Sequence, residues 1–224
     1  MRSAHADAFN HDDEADTYDA EVRSEGDPIR AAYHEVLEWV ANQAGITSRS
    51  RVLELGSGTG NLSIRIPRCG RLICVDLSAR MEAIARSKLH HISNRHFIKA
   101  DILEVFDYQI APVDSVISTY TVHHLTDGEK RLLFEKIFDS LVSGGRAVFG
   151  DLMVQNKVER DSKIHEYLTK GDAKTARALQ EEFFWSIDTA TAELSQLGFQ
   201  IEIKRFSDLS YGIAAKKAPS SRRF

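Results

Sequence analysis

The feature that most constrains the fold is the stretch Val52-Leu-Glu-Leu-Gly-Ser-Gly-Thr-Gly60, in which a short apolar run ends in three alternate glycines. The apolar residues predict a buried strand, and the glycines predict a sharp turn whose backbone lies open to a ligand. A dinucleotide fingerprint spaces its glycines as G-x-G-x-x-G, whereas the third glycine here comes one residue earlier. A P-loop would need Gly-Lys-Ser/Thr, which does not follow. The stretch therefore indicates an α/β fold with a ligand at the end of its first strand.

Strand and helix signals alternate along the chain. The expected strands are Arg51–Gly56, Leu72–Asp76, Phe97–Asp101, Val113–Ser118, Arg146–Gly150, Phe199–Phe206 and Tyr211–Lys216. The expected helices begin at Asp27-Pro28, near Asn61, at a Ser78 cap, at the Thr126-x-x-Glu129 capping box and near Thr189. The first of them is expected to end at Gly45, the capping-box helix at Gly144-Gly145 and the last at Gly198. This alternation is typical of a parallel sheet covered by helices on both faces. The last two strands are joined by a short polar turn and are therefore expected to be antiparallel.

The chain divides into one main domain and two terminal segments. Its 224 residues suit a single α/β domain, expected at 27–217. Residues 1–26 form an acidic arm, because residues 1–45 carry a net charge of −8, and this arm is either a solvated tail or a lid. Residues 155–186 are a helical insertion or lid ending in the aromatic cluster Phe183-Phe-Trp185, which belongs to the core or to a pocket. Residues 218–224 are a basic tail.

Composition excludes several classes of partner. The net charge of −4 argues against a nucleic-acid-binding surface. We find no apolar run long enough for a membrane span and no signal peptide, so a cytoplasmic location is expected. The two cysteines, Cys69 and Cys74, do not indicate a disulfide framework, and no metal is expected because no paired Cys or His spacing accompanies them.

Acidic residues lie at three points where the ligand is expected. Asp76 ends the second strand, 18 residues after Gly58, where a carboxylate can accept hydrogen bonds from both hydroxyls of a ribose. Asp101 ends the third strand. Glu54 lies inside the apolar first strand, where an unpaired carboxylate is costly and a cationic group of a ligand would relieve it. Together these positions predict a crevice for an adenosine at the carboxyl edge of the sheet.

With these residues in view, the chain resembles the class I S-adenosylmethionine (SAM)-dependent methyltransferases, and in particular the YrrT-like small-molecule methyltransferases. The motifs that carry the resemblance are Ala15-Asp-Thr-Tyr-Asp19, Leu55-Gly-Ser-Gly-Thr-Gly-Asn-Leu62 and Ser118-Thr-Tyr-Thr-Val-His-His-Leu125. The resemblance spans about residues 9–152 and the closing strand pair. It implies a Rossmann-like, seven-stranded, mostly parallel sheet of order 3-2-1-4-5-7-6 with the last strand antiparallel.

The resemblance also implies which residues contact the cofactor. Glu54, Gly56 and Gly58 are expected against the methionine part, and Asp76 against the ribose. The adenine is expected against Leu77, Met81, Asp101 and Ile102. Ser118 and Thr119 are expected to border the sulfonium, and Tyr18 to fold over the cofactor as a lid. The remaining contacts expected from the glycine loop are Ser57 and Gly60.

Three residues after the fourth strand are candidates for catalysis, because the resembling enzymes place substrate-side residues there. Histidine in general titrates near neutral pH, so His123 and His124 are candidates to take a proton from a hydroxyl, amine or thiol, and Tyr120 is a similar candidate. The alternative for all three is packing.

The sequence thus predicts an enzyme that transfers a methyl group from SAM to a small-molecule acceptor by in-line displacement, leaving S-adenosylhomocysteine (SAH). The alternatives are a SAM-binding regulator or assembly protein without turnover, and an NAD-dependent oxidoreductase. The expected partner is a small molecule, with no nucleic acid and no membrane, and the protein is expected to be a monomer or homodimer.

Overall fold

The computed structural model describes residues 1–8, 10–23, 26–108, 110 and 112–219. The helices are α1 (Ala15–Glu21), α2 (Tyr33–Gln43), α3 (Ala79–Lys88), α4 (Asp127–Ser140), α5 (Lys157–Thr169), α6 (Ala173–Glu181) and α7 (Ile187–Gln196). The strands are β1 (Arg51–Leu55), β2 (Arg71–Asp76), β3 (Arg95–Lys99), β4 (Val113–Thr119), β5 (Leu141–Val154), β6 (Trp185–Ser186), β7 (Phe199–Arg205) and β8 (Ser210–Lys217). Of the predicted basic tail, residues 220–224 lie outside the described residues.

The strands form one sheet in the order β3-β2-β1-β4-β5-β8-β7. Strands β1 to β5 are parallel, and β8 runs antiparallel to both of its neighbours, β5 and β7. The two-residue strand β6 pairs with the end of β5 and lies off this path. The predicted α/β fold class is therefore confirmed, with eight strands instead of seven, because a two-residue strand is too short to show a periodic pattern.

Helix α2 packs against one face of the sheet, where two glycines make room for it. Gly150 of β5 and Gly212 of β8 are directly opposite each other in the antiparallel register. A Cβ atom at Gly150 would lie 2.3 Å from Val36 Cγ1, and one at Gly212 would lie 2.3 Å from the Trp39 ring. The paired glycines thus form a shallow groove that lets the large side chains of α2 approach the backbone of the sheet.

The opposite face of the sheet is covered by α4 and α7. Their buried residues, including Leu133, Phe134 and Leu194, share one hydrophobic cluster with residues of β1, β4 and β5. Trp185, wholly buried, belongs to the same cluster, and its neighbour Phe184 is buried on the α2 side. The end of the predicted helical insertion is therefore part of the core, while α5 and α6 confirm the helices predicted within it.

The helix predicted from about Asn61 is wrong, because residues 61–66 form turns. Only about ten residues separate the glycine loop from β2, and they include Pro67 and Gly70. Proline has no N–H to donate and disfavours the helical conformation of the residue before it. The segment therefore ends after a single turn and returns directly to the sheet.

Two predicted helix boundaries are also corrected. Helix α2 begins at Tyr33 and not at Asp27-Pro28, because Asp27 Oδ1 accepts a hydrogen bond from the Ile29 amide and Ala32 adopts a left-handed φ of 63°. These features form a turn that interrupts the helical path. Helix α4 ends at Ser140, before the predicted stop at Gly144-Gly145, because β5 begins at once at Leu141.

The predicted helix caps at Ser78 and Thr126 are confirmed. Ser78 Oγ accepts a hydrogen bond from the Met81 amide at 3.0 Å, and Thr126 and Glu129 form a capping box. Both thiols, Cys69 and Cys74, are buried and free. Within the described part of the chain, every helix is too short or too polar to cross a bilayer.

Candidate functional site

The glycine loop turns back onto the second strand of the sheet. Gly56 and Gly58 have φ values of 68° and 50°, in the left-handed region where glycine carries little cost. A Cβ atom at Gly56 would lie only 2.0 Å from Thr121 Oγ1, so this position requires glycine on steric grounds as well. The Gly58 amide donates a hydrogen bond to Asp76 Oδ2 at 2.7 Å. The loop is thereby fixed with its backbone facing the space beyond the strand ends.

Asp76 lies at the end of β2 and is half-buried. One carboxylate oxygen accepts from Gly58, and the other accepts from the Ser78 amide at 2.8 Å. Burial raises the pKa of Asp76, and the two backbone N–H groups oppose that shift. Each carboxylate oxygen keeps a further lone pair, so the group can accept additional hydrogen bonds from a ligand in the cleft.

Asp101 is fully buried just beyond β3. Its Oδ1 accepts from the Leu103 amide at 2.8 Å, and its Oδ2 accepts from Ser3 Oγ at 2.6 Å. The amino-terminal arm therefore reaches across to the end of the third strand and contacts a predicted ligand-binding carboxylate.

These strand ends open into one cleft with an empty volume of about 1020 Å³, including its mouth. Twelve of the predicted site residues line it: Tyr18, Gly56, Gly58, Asp76, Leu77, Met81, Asp101, Ile102, Thr119, Tyr120, His123 and His124. Residues from β1, β2, β3 and β4 thus meet at the carboxyl edge of the sheet, because parallel strands all end on the same side.

Four predicted cofactor contacts are not among the lining residues, namely Glu54, Ser57, Gly60 and Ser118. The Ser57 amide donates to a carbonyl of β2, and the Ser118 hydroxyl donates to a carbonyl of β1. A Cβ atom at Gly60 would face side chains of the α3 segment, at 3.3 Å and beyond. The described residues therefore place these groups behind the wall of the cleft, where they hold the loop in position.

Burial of Glu54 does not by itself require a cationic ligand. The Ser63 hydroxyl donates a hydrogen bond to Glu54 Oε2, so the carboxyl group has a partner within the protein. Burial raises the pKa of Glu54 from its ordinary value of 4.5 to about 8. The group is therefore held mainly neutral at neutral pH and does not need a positive charge nearby.

The raised pKa of Glu54 predicts a pH dependence of stability. Between about pH 4.5 and pH 8 the unfolded chain ionises at this residue while the folded protein retains the proton, so the free energy of unfolding falls as the pH rises. We expect Glu54→Gln to remove this contribution, so that its melting temperature falls less from about pH 5 to about pH 8 than that of the wild type. Thermal unfolding at both pH values measures this, with the exposed Glu181→Gln as control. Equal falls in wild type and Glu54→Gln would contradict the prediction.

The acidic arm lies over the cleft and is bonded to its rim. Asp12 accepts hydrogen bonds from the Ser78 hydroxyl, at 2.5 Å, and from the Arg80 amide, at 3.2 Å. Asp19 accepts from the Thr59 hydroxyl at 2.7 Å and forms an ion pair with Lys88. Ser3, His5, Ala6, His11 and Tyr18 of this segment line the cleft. Asp12 and Asp19 thus tie the arm to groups of the main domain.

Arg30 brings a positive charge to the same cleft. Its guanidinium carbon lies 5.5 Å from the Tyr18 ring centre and 5.6 Å from the Tyr120 ring centre. Contacts of this type hold a cation against aromatic faces. Burial has the largest single effect on the pKa of Arg30 and lowers it. The neighbouring tyrosines and Asp27 together outweigh burial, so the pKa is raised above its ordinary value. The guanidinium therefore remains charged and can bind an anionic group of a ligand.

Two adjacent histidines form the other end of the cleft. His123 is buried, and its Nδ1 lies 2.5 Å from Asp151 Oδ1, while its Nε2 lies 3.3 Å from Glu182 Oε2. The ring centres of His123 and His124 are 3.9 Å apart. His124 Nε2 is 3.5 Å from His11 Nε2 of the arm. Burial, followed by the effect of His123, lowers the pKa of His124 well below its usual value, so this imidazole is neutral.

Tyr120 does not fit the predicted role in proton transfer, although it lines the cleft. Its hydroxyl donates to Ser210 Oγ at 3.4 Å, and its ring stacks on that of Tyr33 with centres 5.1 Å apart. Burial raises the pKa of Tyr120 well above its ordinary value. Its φ of 47° turns the chain between β4 and the histidines. Tyr120 is placed to shape the cleft, and its hydroxyl is engaged elsewhere.

Several residues of the cleft were not identified from the sequence. They are Ser3, His5, Ala6, His11, Ile29, Arg30, Thr121, Leu125, Leu152 and Glu182, together with Asp151 behind His123. Asp151 carried one signal, since an acid inside the apolar strand β5 needs a buried partner. Leu152 also lies in β5, and the others come from loops and helix ends, where no periodic pattern indicates the direction of a side chain.

Comparison with known proteins identifies relatives over most of the chain. The family described as "Methyltransferase domain" matches residues 52–145. An uncharacterized methyltransferase of Bacillus cytotoxicus is 32% identical over 213 residues, covering 92% of this chain and 95% of that protein. An uncharacterized methyltransferase of Oceanobacillus iheyensis is 31% identical over 191 residues, covering 84% of this chain and 88% of that protein.

Solved structures share the fold at lower identity. The DhpI-SAM-HEP complex superposes with a TM-score of 0.67 at 20% identity, covering 94% of this chain and 96% of that one. The magnesium protoporphyrin IX methyltransferase of Synechocystis PCC 6803, with bound SAH, gives a TM-score of 0.70 at 16% identity, covering 95% and 98%. These neighbours share the overall fold of this chain.

Proposed function

The chain belongs to the class I SAM-dependent methyltransferases, and from this membership we propose that it transfers a methyl group from SAM to a small-molecule acceptor by in-line displacement. The observation that carries the proposal is the meeting of the glycine bend, Asp76 and Asp101 in one cleft at neighbouring strand ends. Structural neighbours of this fold were solved with SAM or SAH, which supports the same cofactor here.

The residues of the cleft fit the parts of SAM. Asp76 can accept hydrogen bonds from ribose hydroxyls, since its carboxylate faces the cleft beside the open backbone of Gly58. Leu77 and Met81 offer apolar surface to the adenine, and Asp101 offers an acceptor for its amino group. Arg30, which lines the same cleft beside Tyr18 and Tyr120, offers a positive charge to the carboxylate of the methionine part. The four groups behind the wall, Glu54 among them, act through the loop and not by direct contact.

SAM supplies an activated methyl group on a sulfonium, so the protein has no need of a nucleophile of its own. What the chain contributes is orientation within the cleft, and alignment of two reactants is worth about 7 to 11 kcal/mol of a reaction barrier. Thr119 lies at the end of β4 between the glycine bend and the histidines, where the two reactants would meet. His123 and His124 form the acceptor end, and they are the groups there that can handle the proton or charge of the acceptor.

The roof of the cleft favours an acceptor that fits inside it. The Ala4 amide donates to Glu129 Oε1 at 2.6 Å, and the His5 ring lies 5.1 Å from that of Phe183. The arm thus extends over the histidine end as well as over the cofactor end. Glu182, at the end of α6, closes the same side. We assign the arm, with Tyr18, and the insertion at 155–186 to the enclosure of cofactor and acceptor.

Differential scanning calorimetry tests the cofactor directly. A ligand present at a hundred times its dissociation constant stabilises the folded state by about 2.7 kcal/mol, which corresponds to about 5 to 10 °C for a chain of this size. We expect SAM and SAH to raise the melting temperature by this amount and NAD to leave it unchanged. Stabilisation by NAD alone would overturn the proposal in favour of an oxidoreductase.

Turnover is tested separately from binding. Incubation with methyl-labelled SAM and a metabolite extract, followed by mass spectrometry, is expected to show label in a small product. If SAM binds but no label leaves it in extracts or with added protein fractions, the chain is a SAM-binding regulator instead of an enzyme.

A further inference from the structure

Three side chains at the acceptor end of the cleft have the donor atoms of a metal site. A ring nitrogen of His123, a ring nitrogen of His124 and a carboxylate oxygen of Glu182 all lie within 4.8 Å of one another. The two histidines come from the 3-10 turn after β4, and Glu182 comes from the end of α6. All three line the cleft, so an ion held by them would be accessible to a bound molecule.

The spacing within this cluster suits tetrahedral coordination. Bonds from Zn²⁺ to nitrogen and oxygen are about 2.0 to 2.2 Å, so two ligand atoms at a tetrahedral angle stand about 3.3 to 3.6 Å apart. His123 Nε2 and Glu182 Oε2 are separated by 3.3 Å. His124 completes the set after a shift of roughly 1 Å, since its nitrogen lies within 4.8 Å of both other atoms.

The surroundings of His123 are those of a metal ligand. Metal-binding histidines generally donate their second ring N–H to a carboxylate, which fixes the ring and raises its basicity. His123 Nδ1 lies 2.5 Å from Asp151 Oδ1, and Asp151 is held in turn by the Val122 amide, which donates to its Oδ2 at 2.9 Å. This leaves Nε2 as the nitrogen directed toward Glu182 and the cleft. The His123 imidazole therefore lies between two carboxylates, that of Asp151 at Nδ1 and that of Glu182 at Nε2.

From this geometry we propose that His123, His124 and Glu182 bind one divalent transition-metal ion of the Zn²⁺ type at the acceptor end of the cleft. Two imidazoles and one carboxylate are a donor set that such ions prefer. Three protein ligands leave a further coordination position, which faces the cleft and can take an oxygen, nitrogen or sulfur of the acceptor. Binding of the ion does not depend on the proposed function, whereas its use in orienting an acceptor does.

The proposal revises the expectation of no metal. Adjacent histidines are not a spacing motif for a metal, and the third ligand belongs to the insertion, far along the chain. The ligands come together only because β4 and the end of α6 meet at the same edge of the sheet, where the Phe183 amide donates to the His123 carbonyl at 3.0 Å.

Metal binding can be measured on the full-length, untagged protein after treatment with EDTA. Isothermal titration with Zn²⁺, and visible absorption on titration with Co²⁺, are expected to show one ion per chain. Glu182→Gln, which keeps the size of the side chain, is expected to weaken Zn²⁺ binding at least tenfold, and His123→Ala with His124→Ala to abolish it. The matched control is His90→Ala with His91→Ala, which removes the chain's other adjacent histidine pair and is expected to leave binding unchanged.

Two results would overturn the proposal: no stoichiometric binding by the wild type, or binding that Glu182→Gln leaves unchanged. A cooperative thermal unfolding transition is required of each variant, so that a loss of Zn²⁺ binding is not caused by a loss of folding. The same EDTA-treated wild type is also scanned with SAH. A shift in melting temperature with SAH but no metal binding would reject the metal site and leave the methyltransferase proposal intact. Metal binding without a shift on addition of SAH would support the metal site and count against the methyltransferase proposal.

Discussion

Asp76→Ala is expected to weaken the binding of SAM and SAH by about ten- to a hundredfold. Hydrogen bonds to a charged group contribute about 1.5 to 3 kcal/mol, and the Asp76 carboxylate is the acceptor that we assign to the ribose. Its loss also releases the Gly58 and Ser78 amides, which it now holds at 2.7 and 2.8 Å. Isothermal titration with SAH measures the affinity.

The matched control is Asp161→Ala, which removes an exposed aspartate of α5 that pairs with Lys157. It is expected to leave the affinity unchanged. Asp76→Asn keeps the shape of the side chain without its charge and is expected to lie between the wild type and alanine. An affinity of Asp76→Ala equal to that of the wild type would remove Asp76 from the cofactor site.

Gly56→Ala is expected to lower the free energy of unfolding by about 2 to 5 kcal/mol, or roughly 5 to 20 °C in melting temperature. Two costs combine at this position. The φ of 68° is unfavourable for alanine, and the new Cβ would meet Thr121 Oγ1 at 2.0 Å. Thr121 cannot easily rotate away, because its hydroxyl donates to the Thr119 carbonyl at 3.0 Å. Thermal and urea unfolding measure the loss.

Gly128→Ala is the control for this substitution. Gly128 lies in α4, its φ is not in the left-handed region, and an added Cβ would meet no atom within 4 Å. Alanine there is expected to raise stability by up to about 1 kcal/mol, the opposite sign to Gly56→Ala. If both variants lose the same stability, the contact with Thr121 is not what requires glycine in the loop.

The parts of the site that follow from local pattern were predictable. An apolar strand running into glycines, and an aspartate at the end of each of the next two strands, indicate a cleft because parallel strands end on one side of the sheet. The caps at Ser78 and Thr126 are equally local, since the bonds that make them join residues three positions apart. Hydrophobic periodicity and helix-capping rules describe residues that are this close in the sequence.

The parts of the site that depend on long-range packing could not be predicted from the sequence. Glu54 looked unpaired because its partner, Ser63, comes from a turn where a helix was expected. His123 was a candidate, but its partner Asp151 is 28 residues away and faces it only because β4 and β5 pair in register. The contact of Ser3 with Asp101 spans 98 residues and lies outside any pattern that a sequence displays.

That contact bears on the order of events in a catalytic cycle. The Asp101 carboxylate, to which we assign the adenine amino group, already accepts a hydrogen bond from Ser3 at one of its two oxygens. A nucleoside that binds as we propose shares this carboxylate with the first residues of the chain, so the placement of the amino terminus bears on how the nucleoside enters and leaves the cleft.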